Sequence, residues 1–309
     1  MLNAFLQAVR PAAAGSTPVA TVAYRRAAVG GLDIFYRDAG PADAPVIVLL
    51  HGFPSSSHMF RNLIPALADR YRVIAPDYPG FGYSSAPAPE DFAYSFDALA
   101  DVVETLLADL GVRRYALYLQ DFGGPVGMRI AARHPERVTG LIVQNAVANL
   151  EGFAASAVGT FGPYWADRNV ETEKPLRGFL TAETTRFQYE HGASARADRV
   201  SPDAWQHDQW LLDRPGNDRI QLELLYRYQD NVGAYPQWQA YLRAHQPNIL
   251  VTWGDNDPFF TAAGRDLFKA LVPATEVHAY DAGHFALETH GPEIAAAIRA
   301  FLARVAPAA

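Results

Sequence analysis

Asp121, Asp257 and His284 each fall past the carboxyl end of a stretch that reads as a strand of one sheet. A carboxylate at such a strand end can attack carbon directly, because a reference pKa of about 3.9 leaves it ionised at neutral pH. A histidine can take a proton from water, and a second carboxylate can hold that imidazole in one tautomer. Asp121 closes Tyr115-Ala-Leu-Tyr-Leu-Gln-Asp121 and is followed at once by Phe-Gly-Gly-Pro-Val-Gly127. Strand formers giving way to small residues and a helical pattern predict a nucleophile elbow, a tight turn that lifts one side chain above a parallel sheet. Gly123 and Gly124 let the helix pack close to the strand. In the familiar Gly-x-Ser-x-Gly form a serine holds the tip; here Asp121 holds it, and Leu119 stands at the first glycine's place. A serine must lose a proton before it attacks, whereas this site attacks first and needs its base later.

Asp257 lies in Trp253-Gly-Asp-Asn-Asp-Pro-Phe259 and His284 in Asp281-Ala-Gly-His-Phe285. Asp257 is preferred over Asp255 as the orienting acid, since that group usually falls three residues after the strand-ending glycine. One by one these residues say little: an aspartate after a strand is often a cap, and a histidine in a glycine-rich turn is mostly structural. Their order, at the carboxyl ends where open sheets place ligands, carries the reading. His278 falls inside a strand pattern and His290 begins a helix, so neither replaces His284. His51, in His51-Gly-Phe-Pro54, braces its loop. Ser55, Ser56 and Ser57 read as turn and cap residues.

The elements that must hold these groups alternate along the chain. Val46–Leu50, Arg72–Ala75, Leu141–Asn145, Asn248–Trp253 and Glu276–Tyr280 read as strands. Gly31–Asp38 reads as another, paired with Val19–Tyr24 at the sheet's edge. Phe60, Leu63, Ile64 and Leu67 mark one helix face. Ser95 caps a longer helix whose stripe runs from Leu99 to Leu110, with Gly111 at its C′ position. A last helix starts at Pro292 and buries Ile294, Ile298, Phe301 and Leu302. Such alternation predicts an α/β protein with a mostly parallel, doubly wound sheet. Between residues 146 and 246, short helical stretches alternate with Pro and Gly breaks, and four of the five tryptophans lie there. This segment reads as a helical cap inserted over the carboxyl edge. The expected organisation is a tail over residues 1–21, a core over 22–145 and 247–309, and a cap over 146–246.

At 309 residues, half of them hydrophobic and 19% charged, the chain is ample for a large globular core. A net charge of −7 gives no basic face for nucleic acid or an anionic membrane. Without cysteine there is no disulfide and no thiolate metal site. No cofactor and no metal are expected. Residues 1–10 read as a frayed helix rather than a signal peptide, and the cytoplasm is the default location. The expected partners are a small apolar organic substrate and water; nothing argues against a homodimer.

From about Val22 to Val305 the chain resembles the α/β-hydrolase superfamily. Gln-Asp-Phe-Gly-Gly together with His-Gly-Phe-Pro is similar to its aspartate-nucleophile branch, the epoxide hydrolases and haloalkane dehalogenases. The resemblance implies a triad of Asp121, Asp257 and His284, and an oxyanion hole formed by the backbone N–H groups of Phe53 and Phe122. It implies an alkyl ester on Asp121, which water activated by His284 then hydrolyses. Dehalogenases supply an indole N–H just after the nucleophile, where this chain has Phe122, and often an Asn in the His-Gly-x-Pro loop, where it has Phe53. Epoxide hydrolases supply two cap tyrosines, and Tyr228-Gln-Asp-Asn231 resembles the stretch that carries the later one. Tyr164 fits the earlier. Phe122 departs from the Trp usual in epoxide hydrolases too. Epoxide hydrolysis is the leading expectation, with dehalogenation next and a hydrolase-fold ligand-binding protein third.

Overall fold

The computed structural model describes residues 21–306. The expected helix over residues 1–10 and the first residues of the Val19–Tyr24 strand lie outside them. Eight strands form one sheet: β1 (Val22–Val29), β2 (Leu32–Ala39), β3 (Val46–Leu50), β4 (Arg72–Pro76), β5 (Tyr115–Gln120), β6 (Val138–Gln144), β7 (Ile249–Gly254) and β8 (Glu276–Tyr280). Their spatial order is β1-β2-β4-β3-β5-β6-β7-β8. β2 pairs antiparallel with β1 and β4, and every pairing from β4 to β8 is parallel. All six residues of β5 are buried, as are all six of β7. This is what strands covered on both faces require, and it is why they read as continuous apolar runs.

Ten α-helices accompany the strands among the described residues. The core carries α1 (Leu63–Leu67), α2 (Phe96–Asp109) and α3 (Gly123–Arg133). Between β6 and β7 come α4 (Ala155–Ala166), α5 (Val170–Arg177), α6 (Ala182–Glu190), α7 (Pro202–Leu212) and α8 (Asn217–His245). The chain closes with α9 (Ala262–Leu271) and α10 (Ala286–Val305). Residues of α2, α3 and α9 pack into the core on one sheet face, together with α8; α1 and α10 pack on the other. Ser95 caps α2, its hydroxyl accepting the Ala98 amide at 3.1 Å.

Two elements depart from the sequence reading. α8 runs unbroken for 29 residues through Gly233 and Pro236. A proline in a helix interior removes one backbone hydrogen bond, but here the same turns bury Tyr228, Asn231, Tyr235, Trp238 and Tyr241, and tertiary packing overrides the local cost. The last helix begins at Ala286 rather than Pro292, with a kink at His290 (φ −126°, ψ 24°). Pro292 thus opens the second segment, where its missing N–H costs nothing, while residues 286–290 add a first turn directly behind His284.

Candidate active site

β5 ends at Gln120, and the next residue turns the chain. Asp121 adopts φ +48°, a left-handed conformation that is uncommon for a residue with a side chain. Its backbone is held on both sides: the Asp121 amide donates to Asn145 O at 3.1 Å, and Gly124 N donates to Asp121 O at 2.8 Å. Two glycines make the crowding tolerable. A Cβ on Gly52 would sit 2.3 Å from Asp121 Cβ, and one on Gly123 would sit 2.1 Å from the Leu50 carbonyl oxygen.

The two oxygens of Asp121 have different surroundings. Oδ1 accepts the Phe53 amide at 2.7 Å, and the Phe122 amide also favours the charged carboxylate. Oδ2 lies 3.9 Å from His284 Nε2. Burial pushes the Asp121 carboxyl above the usual carboxylate range, and His284 with the two amides draws it back only in part. His284 Nδ1 sits 2.8 Å from Asp257 Oδ2. Asp257 Oδ1 accepts the amides of Phe259 and Phe260 at 2.8 and 3.2 Å. Asp255, the alternative acid, pairs with Arg265 instead. For His284, burial favours the neutral ring, but Asp257 and then Asp121 outweigh it and leave the imidazole above its ordinary value of 6.5.

The other polar candidates fall into place around this set. His51 is buried, which pushes it down to about 3. Its Nδ1 lies 3.0 Å from Gly52 O, and its Nε2 accepts the Tyr78 amide at 3.4 Å, a bracing role. His278 pairs with Glu276, and His290 Nδ1 lies 2.9 Å from Thr289 Oγ1; neither touches the cavity.

Above Asp121 lies a cavity walled by Phe53, Phe122, Phe153, Phe161, Trp165, Phe179, Phe259 and Phe260. Its polar groups are Asp121, His284, Gln188, Trp165 and Tyr228. Tyr228 is buried, its ring stacked on Trp165 at 6.2 Å and lying 5.8 Å from Phe122. Its hydroxyl lies beside that of Tyr235 and makes no hydrogen bond of good geometry among the described residues. Burial raises the phenol well above its ordinary value, with Tyr235 and Asp121 adding to the effect, so it stays protonated and able to donate.

Tyr164 does not join them. It is fully buried against Tyr226, and its hydroxyl points to the Leu222 carbonyl at 3.4 Å. A helix turns about 100° per residue, so the cavity position belongs to its neighbour Trp165. The Trp165 indole N–H is itself spent on the Leu225 carbonyl at 2.9 Å. Among the described residues, no group of three His, Asp or Glu side chains is arranged to hold a metal ion.

Three polar residues went unnoticed in the sequence. Asn145, with φ +43° just past β6, donates to Asp257 Oδ2 at 2.8 Å and Gly254 O at 3.0 Å, and accepts the Gly254 amide at 2.9 Å. Gln120 Nε2 lies 3.0 Å from His284 Nε2. Gln188, on α6, is 3% exposed, and its Nε2 has no partner among the described residues. The first two were within reach, being polar residues at the ends of otherwise apolar strands; Gln188 carried no signal.

A mostly parallel sheet with an acid on a strand-to-helix elbow, and a histidine–carboxylate pair at neighbouring strand ends, defines a hydrolase of the α/β type. The family model described as alpha/beta hydrolase fold matches residues 45–291, and the chain belongs to that family. It is 41% identical over 267 residues to an uncharacterised hydrolase of Saccharomyces cerevisiae, covering 86% of this chain and 91% of the relative. A haloalkane dehalogenase of Mycobacterium marinum is 31% identical over 288 residues, covering 85% and 86%. Among solved structures, the epoxide hydrolase CorEH superposes with a TM-score of 0.76 at 20% identity, covering 92% of this chain and 99% of that one, a likeness of fold.

Proposed function

We propose that this hydrolase works through a covalent alkyl ester on Asp121 and that its substrate is an epoxide, opened to a vicinal diol. The observation that carries the reading is the pairing of Asp121 with Tyr228. One carboxylate oxygen accepts the Phe53 amide, the other lies 3.9 Å from His284 Nε2, and Tyr228 lines the same cavity with its hydroxyl beside that of Tyr235.

In the first step Asp121 Oδ2 attacks an epoxide carbon, the C–O bond breaks, and the ring oxygen takes its proton from Tyr228. His284 then removes a proton from water, and the hydroxide adds to the ester carbonyl. The amides of Phe53 and Phe122 stabilise the oxyanion. Collapse of this intermediate breaks the acyl C–O bond, and the imidazolium supplies the proton that the departing alkoxide needs. The second proton of the water, left on the re-formed Asp121 carboxyl, passes to the Tyr228 phenolate as the site resets, while the ring oxygen keeps the proton it received. Asp257 keeps Nδ1 protonated throughout, so that Nε2 is the basic nitrogen. Tyr164 is too far turned to act as a second donor. The Gln188 amide is the remaining uncommitted donor on the wall; it can hold an oxygen but cannot protonate it.

Dehalogenation is the second reading, favoured by the named Mycobacterium relative. Against it stand Phe122, which has no donor, and Trp165, whose N–H is already used. The test uses the His284→Gln variant mixed with an aryl epoxide or a bromoalkane. The epoxide should add its whole mass to the intact protein, and native enzyme should release the diol. Bromide release with no diol would move the assignment to dehalogenation, and neither adduct nor product from either compound would remove both.

A further inference from the structure

Gln120 is the last residue of β5, its side chain wholly buried beneath the elbow. Its Nε2 lies 3.0 Å from Nε2 of His284, the nitrogen that must take a proton from water. Asp257 accepts from Nδ1–H at 2.8 Å, so the neutral ring carries its lone pair on Nε2, and only a donor fits opposite a lone pair. We propose that Gln120 is a positioning residue which donates its amide N–H to His284 Nε2, holding the ring in the base-competent state until the hydrolytic water takes its place. The proposal rests on the ester mechanism above, in which His284 is idle during alkylation and acts only on the ester.

The surroundings of His284 show why such a group is useful. The charged groups facing it are Asp257, from the loop after β7, and Asp121, from the elbow. From the other packed elements it meets the rings of Phe259, Phe260 and Phe285, and the cavity wall above adds the neutral Tyr228 and Gln188. In the resting site both carboxylates hold a proton on the imidazole, and Asp257 still does so once Asp121 is esterified. A ring that kept it would be no base at all. A hydrogen bond made only to the neutral form acts in the opposite sense.

Gln120 Oε1 is buried without a partner among the described residues, and it lies 2.6 Å from where a Cβ on Gly52 would be. Once His284 has become an imidazolium, Nε2–H is a donor and the amide N–H no longer fits, so the bond is lost on protonation and favours the neutral ring alone.

The proposal can be read in the native protein before any substitution is made. In protein labelled with nitrogen-15, a scalar coupling across the N–H···N bond should link Gln120 Nε2 and His284 Nε2 above the imidazole's titration, and it should vanish below it. Its absence at high pH overturns the assignment, whatever the substrate is.

The Gln120→Met variant keeps the shape and removes the donor. Loss of that one neutral hydrogen bond should raise the His284 pKa, and with it the acid limb of ester hydrolysis, by roughly half to one pH unit. Gln120→Glu, an acceptor in either orientation, should raise it further. Single-turnover alkylation should stay within a few-fold of native in the Met variant. A folded Met variant with an unmoved acid limb, or with alkylation lost as deeply as ester hydrolysis, overturns the positioning role. Failure to form any ester in His284→Gln would instead count against the mechanism on which the proposal rests.

Discussion

The Tyr228→Phe substitution separates a group kept for chemistry from one kept for stability. The hydroxyl is buried, lies beside that of Tyr235, and makes no hydrogen bond of good geometry among the described residues. A buried polar group left unpaired costs about 1–3 kcal/mol. Deleting the oxygen while keeping the ring preserves the packing on Trp165, Phe122, Phe96 and Phe153. The variant should therefore be as stable as the native protein or more so, by up to about 1–2 kcal/mol in urea unfolding. If the phenol donates to the departing oxygen, single-turnover opening of an aryl epoxide should slow at least about tenfold, equivalent to roughly 1.4 kcal/mol of transition-state stabilisation. Alkylation by a bromoalkane, where it occurs, should be nearly unaffected. A variant that is clearly destabilised yet opens epoxides at the native rate would refute the reasoning on both counts, making Tyr228 a structural residue and returning dehalogenation to first place.

Other expectations follow from the same geometry. A single turnover in heavy-oxygen water should place the label on the Asp121 carboxylate; label found directly in the first product with Asp121 unlabelled would exclude an ester. Turnover should fall as pH drops through the His284 titration, and in the ester Asp257 alone holds the proton against burial, since Asp121 no longer carries a charge. For stability the sign reverses. A pKa raised in the folded state contributes stabilisation below about 6.5 that is lost as pH rises through the folded value, and comparison of His284→Gln with native protein in urea at pH 5 and 9 measures it. Ser95→Ala removes the cap of α2 and should cost about 1 kcal/mol of unfolding free energy without changing the rate of ester formation; a loss under a few tenths would mean that tertiary packing alone holds that helix end.

How much of this was legible depended on how local each determinant is. β3 and β5 fall where the apolar runs place them, because burial on both faces writes itself into consecutive residues. Asp121, Asp257 and His284 meet because each follows a strand of one parallel sheet, and strand ends of such a sheet lie on one edge. Helical rotation in α4 was harder. Tyr164 and Trp165 are adjacent, and which of them faces the cavity depends on how α4 lies on α8, a contact between segments about 60 residues apart. Pro236 misled in the same way, since its helix is held by partners distant in sequence. Gln120 was in plain view inside the Gln-Asp-Phe-Gly-Gly motif, but its meaning needs His284, which folding brings beside it.

The loop bearing Asp257 is laced to the first residues after β6. Asn145 holds Asp257 itself, Phe153 bridges to Phe260, Ala154 N donates to Phe259 O at 2.8 Å, and Thr261 N donates to Gly152 O at 2.8 Å. For anyone recombining this chain with a relative, that lacing sets the splice points. A chimera that exchanges helices α4–α8 with a foreign set beginning at residue 146 discards half of the clamp on the acid, whereas one joined after Ala154 keeps it. The second chimera should retain the His284–Asp257 pairing, read as an unchanged histidine titration, and the first should lose it. The modular unit is thus shorter than the topology suggests, and its true first residue is set by a carboxylate about a hundred positions downstream.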